Sequence, residues 1–281
     1  MTVRESVLGF ACEGEPLVGI LAEPAEGPLA DVGVIIIVGG PQYRAGSHRQ
    51  FTLLARDLAR QGFAALRFDY RSMGDSGGEP RDFLGVDADI AAAIDALIAA
   101  RPGVRRVALW GLCDAASAAL LYLEATRDAR VAGLTLLNPW VRSAASLAQA
   151  HVKHYYWRRL REKSFWLKLL RGGVGARALG ALASNLRLAR RAGRPTDSRS
   201  FQDRMAAGLR GFTGPVLLIL SGDDYTAREF TAHAETSPAW QGVLDAGRIT
   251  RCELAEADHT FSDPSQAAAA HDATLHWLHK V

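Results

Sequence analysis

The most informative segment of this sequence is Trp110-Gly-Leu-Cys-Asp-Ala115. It follows an apolar run typical of a buried strand, Val104–Trp110, and it precedes a helical pattern over Ala115–Ala125. Small residues lie two positions to either side of Cys113, as a sharp turn between a strand and a helix requires. The segment therefore predicts a nucleophile elbow at the carboxyl edge of a sheet, with Cys in the place that Ser usually takes.

A thiol at this turn would lie at the N-terminus of a helix, where the helix dipole favours the reactive thiolate. The alternative is a structural cysteine packed between strand and helix. A cysteine nucleophile needs a base, and the base needs a carboxylate that orients it. Cys113 is therefore a candidate nucleophile to the extent that the sequence also supplies these two partners.

Two later segments supply such partners, each directly after a predicted strand. The strand Pro215–Leu220 is followed by Asp223 and Asp224, either of which could orient the base. The strand Arg248–Leu254 leads into a loop that carries His259. Because the carboxyl ends of parallel strands share one edge of a sheet, we expect these groups to lie near the nucleophile.

A glycine-containing turn, Gly39-Gly-Pro-Gln42, follows the predicted strand Asp31–Val38. A backbone N–H from this turn would join the N–H of Asp114 in holding a developing oxyanion. Gly40 is the first choice because glycine allows a close approach to substrate, and Gln42 is the second. Pro has no N–H to offer. A turn that only reverses the chain is the alternative interpretation.

Strand and helix patterns alternate along the rest of the chain, which predicts a mostly parallel sheet with helices on both faces. The further predicted strands are Glu5–Cys12, Pro16–Glu23, Ala64–Tyr70 and Val131–Leu137, and the further predicted helices are Arg49–Gln61, Val86–Ala100, Ala227–Ser237 and Ser265–Lys280.

Residues 141–212 differ in composition from the rest of the chain. They contain 16 Lys/Arg and 3 Asp/Glu, against 17 and 27 in the remainder. We interpret this segment as a basic helical cap inserted into a core formed by residues 1–140 and 213–281. Aromatic residues between positions 151 and 171 favour a lid over the pocket, with peripheral contact to anionic lipid as an added role. A solvated helical face is the plainer alternative.

Several classes of function are disfavoured. The longest apolar run, Val32–Val38, is far shorter than the roughly 20 residues of a membrane span. Three cysteines and a charged N-terminal segment favour a cytoplasmic protein without a secretory signal. Nucleic-acid binding is not expected, because no recognition module accompanies the basic segment.

No cofactor or metal site is predicted. Two histidine pairs have helical spacing, but neither has an evident carboxylate or thiol partner. Arg44 and His48 follow the glycine turn and are candidates for binding an anionic group of the substrate, with surface roles equally open. The histidine pairs are His151 with His154 and His276 with His279.

These motifs resemble the α/β-hydrolase superfamily across residues 1–140 and 213–281, where nucleophile, acid and base follow one another in the order found here. More narrowly, the sequence resembles the exosortase A system-associated hydrolase, type 1. That resemblance implies Asp224 as the acid in preference to Asp223. It also implies a bacterial cytoplasmic protein linked to exopolysaccharide production and PEP-CTERM protein sorting. The segments that carry it are Gly39–His48, Arg67–Arg71 with Gly74–Ser76, Trp110–Asp114 and Ser221–Ala227.

The sequence thus predicts a hydrolase or acyltransferase with Cys113, His259 and Asp224 as a triad. Its substrate would be an ester or thioester of a small-molecule or carrier-linked acyl group, anionic ones included. One alternative is a non-catalytic binding or scaffolding protein on the same fold, with the basic cap docking to a membrane or a partner. Another is a lactone or carbon–carbon bond hydrolase. The oligomeric state is left open.

Overall fold

A computed structural model describes residues 2–40, 42–142 and 199–281. The chain divides into two units, one comprising Met1–Val141 and Phe201–Val281 and the other Arg142–Ser200. In the first unit the strands are β1 (Val3–Cys12), β2 (Glu15–Pro24), β3 (Val32–Ile37), β4 (Ala65–Asp69), β5 (Arg106–Leu112), β6 (Val131–Leu137), β7 (Val216–Asp223) and β8 (Ile249–Asp258). The helices are α1 (Gln50–Arg60), α2 (Asp87–Ala100), α3 (Asp114–Thr126), α4 (Phe201–Gly211), α5 (Tyr225–Thr236) and α6 (Pro264–Leu278).

The eight strands form one sheet in the order β1-β2-β4-β3-β5-β6-β7-β8. β2 is antiparallel to both of its neighbours, and every pairing from β4 to β8 is parallel. The predicted fold class, a mostly parallel sheet of the α/β-hydrolase type, is confirmed. The strand order reverses between β3 and β5, and such a switch point opens a crevice at the carboxyl ends of the strands.

Apolar strands buried on both faces explain why helices cover both sides of the sheet. Val34 and Ile36 of β3 belong to the apolar cluster that contains α1 and α6. Ile35 and Ile37 belong to the opposite cluster, which contains α2, α3, α4 and α5. Because side chains alternate along a strand, a continuous apolar run is what a sheet with two buried faces requires.

β7 and β8 extend further than the sequence predicts. Their apolar runs end at Leu220 and Leu254, but backbone pairing continues until Asp223 lies opposite Asp258. The residues that the strands gain are small or acidic, and four of them, Gly222, Asp223, Ala255 and Glu256, are exposed, so the apolar pattern ends before the pairing does. The predicted loops after these strands are correspondingly shorter.

The predicted cap, residues 141–212, falls mostly on residues 143–198, which lie outside the described residues. Its last part, α4, belongs to the first unit, so the boundary differs from the predicted position. Met205 and Leu209 are buried in the apolar cluster that also contains α3, which ties α4 to the hydrolase-like core. Within the described ranges, no helix is long and apolar enough to cross a bilayer.

The contact between α3 and α4 depends on Gly208. A Cβ on this residue would overlap the carbonyl oxygen of Leu120 on α3. A backbone carbonyl cannot move aside as a flexible side chain can. Gly211 of the same helix has open space around it.

We predict that Gly208→Ala lowers the free energy of unfolding by about 1–3 kcal/mol, because the two helices must move apart. Urea denaturation followed by circular dichroism measures this change. Gly211→Ala is the matched control and should stay within about 0.5 kcal/mol of the wild type. Equal effects of the two substitutions would contradict the assigned contact.

Candidate active site

Cys113 lies in a strained turn between β5 and α3. Its backbone has φ 62° and ψ −124°, a conformation that is rare outside glycine. The Cys113 N–H donates to Leu137 O over 2.9 Å, and its carbonyl accepts the Ala116 N–H at 3.1 Å. A Cβ on Gly111 would lie 2.6 Å from the Ala115 carbonyl carbon, so the strand and the helix can approach this closely only with glycine there. The turn has the geometry of a nucleophile elbow.

Asp224 and His259 meet at the same edge of the sheet. Asp224 caps α5, with Oδ1 accepting the Thr226 N–H at 2.8 Å. Its Oδ2 lies 2.7 Å from His259 Nδ1. The Asp224 side chain is 4% exposed, whereas that of Asp223 is 83% exposed. The structure therefore places Asp224, and not the alternative Asp223, against the imidazole.

Hydrogen bonds with Asp224 and with the side chain of Cys113 raise the pKa of His259 to about 10, against the opposing effect of burial. Since Nδ1 is engaged by Asp224, Nε2 is the nitrogen left to face the thiol. Burial acts to raise the pKa of Asp224, but the hydrogen bonds from His259 and from the Thr226 N–H hold it below its ordinary value. The imidazole is thus a group that holds a proton between two acceptors.

We predict that Asp224→Asn lowers the pKa of His259, because the charged acceptor on Nδ1 is lost. An NMR titration of the His259 ring protons measures this pKa, and Asp223→Asn is the control that should leave it unchanged. The raised pKa of His259 stabilises the folded protein. This stabilisation is fully present below pH 6.5 and is lost as the pH rises to about 10. The stability difference between wild type and Asp224→Asn should therefore be larger near about pH 6 than above about pH 10. A His259 pKa that is equal in both proteins would contradict the pairing.

A pair of side chains that the sequence pattern does not single out supports the acid. Asn138, after β6, donates from Nδ2 to Ser221 Oγ and accepts the Ser221 N–H through Oδ1, both over 2.9 Å. Asn138 is fully buried and has φ 44°. The pair joins the ends of β6 and β7 three residues before Asp224. The Asn138-Pro139 dipeptide directly after the predicted strand Val131–Leu137 is the sequence signal at this position, and by itself it indicates only that the strand ends there.

The predicted oxyanion donor Gly40 has a different partner in the structure. Its N–H donates to Asp114 Oδ2 over 2.9 Å. The structure thus brings Gly40 and Asp114 together, but through a side chain that occupies the expected donor. The alternative residue, Gln42, accepts the Ser47 N–H through Oε1 at 3.1 Å. Its own N–H has no acceptor in the described part of the chain, so Gln42 stays open as the second choice.

Arg44 has a structural role that differs from the predicted one. Its N–H donates to Asp69 Oδ1 over 2.7 Å, and its guanidinium pairs with Asp69 and, over 2.6 Å, with Asp75. The Asp69 side chain is fully buried. Two carboxylates already match the charge of Arg44, which argues against its predicted use as a site for an anionic substrate group.

The remaining predicted positions lie further from these contacts. His48 is exposed on the loop after Gly40, and its part in substrate binding stays a prediction. His276 of α6 and His279, the residue after this helix, are exposed, while His151 and His154 lie outside the described residues. Within residues 2–40, 42–142 and 199–281, no group of three or more His, Cys, Asp or Glu side chains could hold a metal ion.

A sequence model described as "Alpha/beta hydrolase family" matches residues 34–272. That range includes all three residues of the candidate triad. Among curated proteins, human Protein ABHD12B is 37% identical over 103 residues. This alignment covers 36% of the present chain and about a quarter (27%) of the human protein.

Solved structures with the same fold cover nearly the whole chain. The Pyrococcus furiosus esterase Pf2001 has a TM-score of 0.65 at 16% identity, over 99% of this chain and 92% of its own. A dienelactone hydrolase from Anabaena variabilis has a TM-score of 0.63 at 14% identity, over 100% and 99%. A serine hydrolase without a lid from Xanthomonas campestris has a TM-score of 0.59 at 16% identity, over 99% and 96%. At these identities the likeness concerns the fold alone.

Proposed function

This chain belongs to the alpha/beta hydrolase family, and we propose its function on that basis. On that premise we infer a hydrolase or acyltransferase in which Cys113 is the nucleophile, His259 the base and Asp224 the orienting acid. The observation that carries the proposal is the 2.7 Å contact of His259 Nδ1 with Asp224 Oδ2, in an imidazole whose pKa both Asp224 and the Cys113 side chain raise. A base held between a carboxylate and a thiol is the arrangement that covalent acyl transfer requires.

In the first half of the reaction, the proton of the Cys113 thiol passes to His259 before the attack, and the thiolate Sγ then attacks the carbonyl carbon of an ester or thioester. The protonated imidazole is stabilised by Asp224, as the raised pKa of His259 expresses. The bond to the leaving alcohol or thiol then breaks, and His259 donates its proton to that group. The product is an acyl thioester on Cys113.

In the second half, His259 takes a proton from water or from another acceptor, which attacks the thioester carbonyl. The bond between the acyl carbon and Cys113 Sγ breaks, and the thiol is restored with the proton from His259. A thioester remains an activated acyl group, so transfer to an acceptor other than water is chemically as suitable as hydrolysis.

A non-catalytic role is the second candidate, and one observation favours it. The Gly40 N–H, the first choice for holding the oxyanion, donates to the Asp114 carboxylate. A site that binds a partner without chemistry would not need that donor to be free. Covalent labelling of the thiol separates the two candidates.

We also propose a link to exopolysaccharide production and exosortase-dependent sorting in a bacterial cytoplasm. The support is the resemblance over four sequence segments that include the glycine turn and the elbow. Growth and exopolysaccharide yield of a strain that carries Cys113→Ala in place of the wild-type gene would test it.

We predict that a p-nitrophenyl ester acylates the wild-type protein once and that Cys113→Ala abolishes this label, because the nucleophile is gone. Intact-mass spectrometry after short exposure measures the adduct. Cys252→Ala, which removes a half-buried thiol of β8, is the control and should retain the label. Unchanged labelling of Cys113→Ala would defeat the assignment of the nucleophile.

His259→Ala should slow acylation by about 10²–10⁴-fold, since the thiol proton then has no positioned acceptor. Stopped-flow detection of p-nitrophenol release under single-turnover conditions gives the rate constant. His276→Ala is the matched control, because His276 is an exposed histidine on α6. A rate constant for His259→Ala within twofold of the wild-type value would remove His259 from the mechanism.

A further inference from the structure

A carboxylate occupies the place where the oxyanion hole is expected. Asp114 Oδ2 accepts the Gly40 N–H over 2.9 Å. The Gly40 N–H is the donor that the turn after β3 would offer to a substrate carbonyl. In the resting protein this donor is bonded to the side chain of the residue that follows the nucleophile.

The turn after β3 is shaped around this carboxylate. A Cβ on Gly39 would overlap Asp114 Oδ1, so only glycine leaves room for the side chain at that position. Oδ1 itself is buried and has no hydrogen-bond partner within the described residues. A buried oxygen without a hydrogen-bond partner destabilises the folded state. A further hydrogen-bond donor that reached Oδ1 would therefore stabilise the carboxylate.

Among the described residues, few charges compensate Asp114. Burial, more than any other cause, raises its pKa, and the positive charge of His259 opposes that shift. The charge of Asp114 acts together with burial to raise the pKa of Tyr70, the residue after β4, to about 12. Arg44, the basic residue of the same turn, is already paired with Asp69 and Asp75.

We propose that the Asp114 carboxylate is the resting occupant of the oxyanion hole and that it determines which acyl groups react. A substrate carbonyl must displace Asp114 from the Gly40 N–H before its oxygen can take up negative charge. The displaced carboxylate then lies next to the acyl group. An ammonium or hydroxyl group near the carbonyl satisfies it, whereas a carboxylate on the substrate is repelled. The favoured substrates are therefore cationic or hydroxylated acyl esters and thioesters.

This inference rests on the proposed function, and it changes the expected substrate. The sequence allowed anionic acyl groups, with Arg44 as one residue that could bind them. In the structure the guanidinium of Arg44 forms ion pairs with two carboxylates, those of Asp69 and Asp75. A third carboxylate, that of Asp114, belongs to the residue next to the nucleophile and accepts the Gly40 N–H.

Three thioesters with the same thiol leaving group test the proposal: propionyl, 3-aminopropionyl and succinyl. The wild-type enzyme should be acylated fastest by the aminopropionyl and slowest by the succinyl compound, with a ratio on the order of 100-fold for charges about 5 Å from a carboxylate. Asp114→Asn keeps an acceptor for the Gly40 N–H but removes the charge, and should bring the ratio to within about threefold of one. Asp114→Ala should lose the ratio in the same way.

Glu256→Gln is the control for a general effect of charge. Glu256 is exposed and lies three residues before His259. This substitution should leave the wild-type ratio unchanged. If the ratio falls as much in Glu256→Gln as in Asp114→Asn, the selectivity comes from the overall field and the proposal is overturned.

Failure of this inference can be told apart from failure of the proposed function. An active enzyme whose ratio is the same in wild type and Asp114→Asn overturns the role of Asp114 alone. A wild-type protein that no thioester acylates counts against the proposed function and against the selectivity with it. The Gly40 amide proton reports occupancy without turnover: its NMR shift should titrate with Asp114 in the wild type and stay constant in Asp114→Asn. A shift that titrates in neither protein overturns the occupancy.

Discussion

The close approach of β5 and α3 at Cys113 is the constraint on which the site depends. Two backbones can meet at this distance only because Gly111 has no side chain, since a Cβ would lie 2.6 Å from the Ala115 carbonyl carbon. The resulting turn holds Cys113 in a conformation that free peptides avoid. The surrounding buried strands fix that conformation, and the thiol projects from the carboxyl edge of the sheet.

The acid and the base reach the thiol through strand pairing. β7 and β8 remain paired up to Asp223 and Asp258, so the residues that follow, Asp224 and His259, leave the sheet side by side. The reciprocal bonds between Asn138 and Ser221 fix the end of β7 from the other side. A 2.7 Å contact between Asp224 and His259 is the outcome of these backbone registers.

The electrostatics of the edge connect the triad with the choice of substrate. His259 carries a proton between Asp224 and Cys113, while Asp114 brings a further carboxylate to the start of α3. That carboxylate takes the Gly40 N–H, which the fold would otherwise offer to a substrate carbonyl. Under the function proposed here, stabilising an oxyanion requires that the Asp114 carboxylate leave the Gly40 N–H, and the charge of the acyl group determines how readily it leaves.

The sequence by itself determined the fold class and singled out Cys113 and His259 as candidate site residues. The signals that the sequence carries are local: apolar runs, small residues beside Cys113 and strand-to-loop boundaries. They can be recognised because the burial of each element determines which residue types are neighbours in the sequence. It left Asp223 and Asp224 open on geometry, it missed Asn138, and it gave no sign that Asp114 would bond Gly40. Those relations join residues up to 83 positions apart. Only the tertiary structure decides them, because strand register and the direction of one side chain are set by packing between distant segments.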